Sequence, residues 1–348
     1  MPQPDPEAYL QSIMVDNKAK GIFAQANFEQ FMFSSPETKN KYMDGCWVFS
    51  PKGKGSDNRM CFFVHGSICE PAKTAAISDN LQGNRTFQAL AGSLTRAGFG
   101  AFYVIPTVLE DNGIVSDWEL LRYKNEKMEK IDPKKFFAAW PGRGGRASHG
   151  KGDWSRPTLE RFRSLPQEPK TKTLLNQQFY NEFVKREFHK PLDDPYDTDC
   201  FIVSYGGKVF PVEVKEKFPY EMQKQKVFGI DAGRVLMMLR ICLPSGSNAF
   251  YIIREVGDPD RHFVKWKHIT LDRIIMNCGW NLQAGGPGMG GGNTQTIPIP
   301  YKYFEDTTKA TFEETNLEAK AELSKVVQEQ AKKMLQDTSS FCDSTIRQ

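Results

Sequence analysis

Residues Asp199 to Lys217 read Asp-Cys-Phe-Ile-Val-Ser-Tyr-Gly-Gly-Lys-Val-Phe-Pro-Val-Glu-Val-Lys-Glu-Lys, and they constrain the fold more than any other stretch. Two apolar runs, Cys200 to Val203 and Val209 to Val214, flank Gly206-Gly207. A glycine pair supplies the positive φ angles of a tight turn, so the pattern predicts a hairpin of two antiparallel strands. Side chains alternate faces along a strand. Phe210, Val212 and Val214 then share a core face, while Glu213, Lys215 and Lys217 share the other. Asp199 stands near the start of the paired strand. Pro211 cannot donate to a ladder and predicts a bulge or a local edge.

Two carboxylates at short range repel unless something positive lies between them. A hard cation such as Mg²⁺ satisfies both, because it prefers oxygen ligands and keeps several waters. Asp199 and Glu213 are therefore the candidate metal ligands, and the Val214 carbonyl can add a third oxygen. Lys215 beside the metal can hold a water nucleophile or stabilise charge growing on a phosphate. These parts suit metal-assisted phosphodiester hydrolysis. An ordinary hairpin with a solvated Glu/Lys face accounts for the same spacing. The tripeptide Glu-x-Lys recurs at Glu37-Lys39, Glu168-Lys170 and Glu318-Lys320, but only Glu213 lies in an apolar strand with an acidic residue fourteen positions earlier.

The stretch resembles the PD-(D/E)xK nuclease superfamily, the restriction-endonuclease-like fold. Asp199 stands for the Asp of that pattern and Glu213-Val214-Lys215 for its Glu-x-Lys, with Thr198 where the proline would be. The resemblance covers residues 172 to 256, about a quarter of the chain. It implies an α/β (α+β) fold with a mixed central sheet flanked by helices. It also implies metal held by Asp199 and Glu213, water activated or oriented by Lys215, and a Glu on the helix before the hairpin. Glu182 matches that last position, since Leu175, Phe179 and Phe183 step by four and place Glu182 at the rim of an apolar face. Glu187 competes for the role, and Asp197 is an extra candidate ligand. The family has a further strand between helix and hairpin, which the Pro- and Asp-rich residues 189 to 198 do not show.

A chain of 348 residues is long enough for two domains. Its net charge of +4 announces no global polyanion field. Seven cysteines, an odd number without a Cys-x-x-Cys pair, argue against a disulfide framework and a structural zinc. The polar N-terminus shows no secretory signal, and no apolar run is long enough to span a bilayer. A cytoplasmic protein without membrane contact is the expectation.

Residues 1 to 140 read as an N-terminal α/β domain: a helix from Pro6 to Phe23, strands from Arg59 to Ile68 and Phe99 to Val108, and a helix from Leu81 to Ala97 between them. His65, in an apolar strand, reads as a core histidine. Residues 141 to 171 read as a basic Gly/Pro-rich linker. From 141 to 172, eight cations face three carboxylates, with Trp154 among them and Trp140 just before. Either this is a solvated linker, or Arg143, Arg146, Lys151 and Arg156 contact phosphates while aromatics stack. Lys217 joins them as a nucleic-acid-binding candidate. Residues 172 to 305 form the nuclease-like domain, with a helix capped by Asp231 and apolar nearly all round, then a strand from Asn248 to Val256. Residues 285 to 293 form a glycine loop without the ending of a P-loop. Residues 306 to 348 supply a C-terminal helix, Asn316 to Leu335, and a tail.

The expected activity is a Mg²⁺-dependent endodeoxyribonuclease, with Mn²⁺ able to substitute, of restriction or defence type and acting on double-stranded DNA. A nuclease of RNA or branched DNA, and an inactive nucleic-acid-binding module, are the alternatives. A homodimer is compatible with the C-terminal helix.

Overall fold

The computed structural model describes residues 6–49, 59–138, 153–184, 196–257, 261–278, 283–284, 295–323, 325 and 327–332. The chain is a mixed α/β protein that divides into two compact units: Met1–Phe31 with Met43–Asp199, and Met32–Tyr42 with Cys200–Gln348. The composition-based reading drew boundaries at 140/141 and 171/172. The division falls instead within one strand, because the helix expected to open the nuclease-like domain packs into the first unit's core. Among the described residues, no helix is long and apolar enough to cross a membrane.

The first unit holds helices α1 (Pro6–Ile13) and α2 (Asp16–Phe33), α2 running a little past the division. Strands β1 (Tyr42–Phe49), β2 (Arg59–Val64), β3 (Phe99–Leu109), β4 (Val115–Lys124) and β5 (Lys127–Ile131) follow in sheet order. Strand β6 (Tyr196–Val203) lies on the other side of β1. Strands β2 and β3 are parallel, whereas β1–β2, β3–β4 and β4–β5 are antiparallel. The crossover between β2 and β3 is two helices, α3 (Thr74–Gly83) and α4 (Arg85–Arg96), where the periodicity predicted one. Asn84 breaks the run and caps α4 by accepting from Phe87 N at 3.0 Å. Helices α5 (Pro133–Ala138), α6 (Arg156–Arg163) and α7 (Gln167–Gln178) complete the unit. A wider helical turn at Phe179–Val184 continues α7. It packs Leu175, Phe179 and Phe183 against Trp47, Phe49, Phe62 and Trp118. Gln178 is fully buried and ties α7 to the sheet, accepting from Val115 N and donating to the Gly113 carbonyl. Strand β1, from far along the chain, borders β6.

In the second unit the sheet order is β14 (Glu305–Asp306), β11 (Phe263–Thr270), β10 (Phe250–Val256), β7 (Val209–Lys217), then β6. Strands β6 and β7 are antiparallel, as the hairpin pattern predicts, with Cys200 opposite Val212 and Val203 opposite Val209. The connection is longer than a two-residue turn. Ser204 N bonds the Lys208 carbonyl, and of the glycine pair only Gly207 has a positive φ, at 80°. Pro211 sits opposite Phe201 without a register shift. It is tolerated because the parallel β7–β10 ladder starts one residue later, at Val212.

A second sheet of β12 (Gln283–Ala284), β13 (Gln295–Pro300), β9 (Gln225–Asp231) and β8 (Tyr220–Met222) was not expected from sequence. Its β8–β9 hairpin turns at Gln223-Lys224, both at positive φ. Helix α8 (Ala232–Ser245) is capped by Asp231, which accepts from Arg234 N, and ends at left-handed Gly246. It buries Val235, Met238, Leu239, Ile241 and Cys242 in the core, while Leu236 and Met237 are only partly covered, so the expectation of burial all round does not hold. Helix α9 (Leu271–Asn277) follows β11. The long C-terminal helix is interrupted: α10 (Glu314–Lys320) stops, and Asn248 draws the chain away by binding the carbonyls of Lys320 and Ala321. The glycine loop at 285–293 falls outside the described residues.

Candidate active site

Strand β7 carries its carboxylate into the interior. Every residue from Val209 to Val214 is buried, on both faces of the strand. A solvated Glu/Lys face is therefore not what the hairpin presents. Glu213 retains 4% exposure because β7 is flanked by two strands and α8 packs against it. A buried carboxylate is costly unless paired and hydrogen-bonded. Lys215 Nζ stands 2.6 Å from Glu213 Oε1, and Arg234 Nε, from the first turn of α8, stands 3.4 Å from the same atom. Neither approach is aligned as a hydrogen bond, and Oε1 makes none. Glu213 is thus compensated by charge and left with unused acceptor capacity.

Lys217 ends the strand on the same face. Burial, then the Lys215 ammonium, pushes its pKa down to about 8 against the pull of Glu213 and Asp231. The intervening Glu216 belongs to the opposite face, where Arg254 and Arg261 each bind it at 2.8 Å. Val214 lies in the buried row, its neighbour in the ladder being Ile252.

Asp199 is the last residue of the first unit. It is half-buried in β6, and its Oδ1 accepts from Gln25 Nε2 of α2 at 2.5 Å. Strand β1 runs beside this point. A Cβ on Gly45 would lie 1.8 Å from the Thr198 carbonyl oxygen and 2.6 Å from that of Asp199, so the backbones meet where only glycine fits. From α2 it is Gln25 that bonds the Asp199 carboxylate. Glu182 instead accepts the Tyr9 hydroxyl at 2.7 Å, which helps burial raise the tyrosine's pKa far above its ordinary value. Glu187 falls outside the described residues, and Asp197 is partly buried in β6.

Further along α2, Glu29 binds Lys172 at 2.6 Å, and Asp44 of β1 binds it at 3.3 Å. Burial opposes the charge on Lys172, but Asp44 and Glu29 outweigh it and hold the ammonium above the usual lysine range. His65 bonds Tyr103 at 2.9 Å and Ser67 at 3.1 Å, and burial lowers its pKa, consistent with a satisfied histidine.

Of the basic segment, Arg143, Arg146 and Lys151 fall outside the described residues. Arg156 is exposed and pairs with Glu160 one turn on, at 2.8 Å. Arg163 grips Glu7 through two nitrogens. Trp154 is buried, donates to the Met14 carbonyl and packs edge-on to Phe162, so it cannot stack on a base. In the described part of the segment, 153–171, Trp154 and Arg163 tie the chain to the residue after α1 and to α1 itself. The six described cysteines, Cys46, Cys61, Cys69, Cys200, Cys242 and Cys278, are buried thiols.

Among the described residues, no three His, Cys, Asp or Glu side chains converge as a metal group. Mg²⁺ is commonly held by one or two carboxylates with water and substrate phosphate supplying the rest. An interior carboxylate with an unsatisfied oxygen fits that demand. Arg234 and Gln25 were not visible as site residues in the sequence. Asp231 marked the start of α8, but no sequence signal showed that the helix's first turn points at Glu213. Comparison with protein-family models, with curated proteins and with solved structures finds no match.

Proposed function

We propose that the chain is a Mg²⁺-dependent phosphodiesterase acting on DNA, of the endonuclease class its hairpin resembles. The observation that carries the reading is Glu213: a carboxylate in the middle of a sheet, 4% exposed, with Lys215 2.6 Å away and an oxygen that makes no hydrogen bond. A structural ion pair gains most when its lone pairs are satisfied, whereas a metal ligand keeps an oxygen available. The order hairpin, helix, parallel strand around it (β6–β7, α8, β10) also supports the reading.

In this proposal Glu213 holds the metal, with Asp199 as the second carboxylate assigned from sequence and the Val214 carbonyl as a further oxygen. The bound metal would polarise a phosphate and lower the pKa of its water. Lys215, 2.6 Å from Glu213, would orient a water nucleophile and meet the charge growing on the phosphate. Arg234 takes over part of the same electrostatic task. The substrate in this proposal is double-stranded DNA, cut in a restriction or defence role.

Metal binding tests this without requiring turnover. Thermal melts in Mg²⁺ or Mn²⁺ should show stabilisation that grows with metal concentration, as for any ligand of the folded state. Glu213→Gln and Asp199→Asn should abolish most of that gain. Equal responses from wild type and both variants would show that the carboxylates are not ligands.

A further inference from the structure

Glu213, Lys215 and Lys217 follow one another on one face of β7, and the metal and water roles take only the first two. Successive residues on one face of a strand lie about 6.6 Å apart. Among the described residues, the Lys217 ammonium has no hydrogen-bond or ion-pair partner. The groups around it are otherwise engaged. Glu213 stands against Lys215 and Arg234, and Asp231 accepts from Arg234 N as the cap of α8. Glu255, beside Lys217 in the parallel ladder, accepts the Tyr301 hydroxyl, 3.1 and 2.9 Å from its two oxygens. Tyr251, beside Glu213 in the same ladder, donates its hydroxyl to the Gly229 carbonyl. Asp258 and Asp260, in the turn after β10, lie outside the described residues.

Burial and the Lys215 ammonium bring the Lys217 pKa down to about 8. A proton donor serves catalysis best when its pKa lies near the working pH, and burial beside a like charge is how a lysine is brought there. An unpartnered ammonium next to a second one is also a local conflict, and such conflicts gather where function uses them.

We propose that Lys217 is the general acid of the hydrolysis, its ammonium protonating the oxygen that leaves phosphorus. This rests on the reading of the chain as a DNA phosphodiesterase. Attacking and leaving oxygens stand roughly in line on opposite sides of phosphorus. Lys215 meets the water on one side, and Lys217, two residues further along the same face, meets the leaving oxygen on the other. A water oxygen bonds to phosphorus and its proton passes to solvent. The bond from phosphorus to the leaving sugar oxygen breaks, and that oxygen takes a proton from Lys217 Nζ. The neutral amine regains a proton from solvent, which restores the site. A phosphate contact would need only the charge of Lys217, whereas a general acid needs a proton it can release.

The test is nicking of supercoiled plasmid by the full chain at saturating DNA in Mg²⁺, set beside duplex affinity measured by fluorescence anisotropy in EDTA. Lys217→Ala and Lys217→Arg should each lose about a hundredfold in kcat, the lower end of what a positioned acid supplies, with affinity close to wild type. Arginine keeps the charge but does not release its proton. In Lys217→Ala, added ethylammonium should restore the rate, and guanidinium at the same concentration should not. That rescue separates loss of the acid from any misfit of the arginine. Wild-type rate in either variant, a fall in affinity that matches the fall in rate, or ethylammonium acting no better than guanidinium would overturn the proposal. A wild type that cleaves, with Lys217→Ala as fast, leaves the hydrolase reading standing without this role. A wild type inert in both Mg²⁺ and Mn²⁺ removes both.

Discussion

Lys217 shows how much of a site depends on its surroundings. In the sequence it is a lysine on an alternating strand and a candidate phosphate contact. In the fold, burial and the nearby Lys215 push its pKa down to about 8 from an ordinary value of 10.5. Below pH 8 both folded and unfolded chains hold the proton, and the folded state bears the full cost of a shielded ammonium. Between pH 8 and 10.5 the folded state has released a proton that the unfolded chain still binds, so stability climbs with pH. Lys217→Met removes this contribution. Its melting temperature should exceed wild type most near pH 7, and the excess should shrink toward pH 10. A difference independent of pH would show that Lys217 is not held in a charge-opposing environment. The alternation of Glu213, Lys215 and Lys217 was legible from residue type alone. That Glu213 is 4% exposed was not, because burial on its face depends on α8 and on a second sheet that no local pattern announced.

At the level of elements, the hairpin was written in the chain as two apolar runs around a glycine turn, but its register was not: a two-residue turn at Gly206-Gly207 would set Cys200 opposite Glu213, whereas the longer connection sets it opposite Val212. Local rules also found the Asp231 cap and β10. They failed where a distant segment decides the outcome. Asn248 breaks the C-terminal helix through carbonyls of residues 320 and 321, and β1, not a strand next in sequence, borders β6. Gly45 is the signature of that last contact. Gly45→Ala would drive a methyl into the Thr198 carbonyl, and backbone cannot yield as a flexible side chain can. It should cost at least the roughly 1–3 kcal/mol of an overpacked site, read as a fall in denaturation midpoint at constant m-value. A variant as stable as wild type would mean that β1 and β6 do not approach as described.

For the molecule as a whole, charge and composition read residues 141 to 171 as either a solvated linker or a phosphate clamp; in the described part, 153–171, Trp154 and Arg163 bond Met14 and Glu7, partners more than a hundred residues away. Arg156, engaged with Glu160, is correspondingly a weak candidate for a phosphate contact. The central claim is that Glu213, with Lys215 and Asp199, makes this chain a metal-dependent DNA hydrolase. The most direct measurement is conversion of supercoiled plasmid to nicked and linear forms by the purified full chain, in Mg²⁺, in Mn²⁺ and in EDTA. The account predicts cleavage in either metal and none in EDTA. It also predicts a loss of about a hundredfold or more in rate for Glu213→Gln and for Lys215→Ala, the scale of removing one group that meets transition-state charge. An inert wild type in both metals, or cleavage that survives Glu213→Gln, would contradict it.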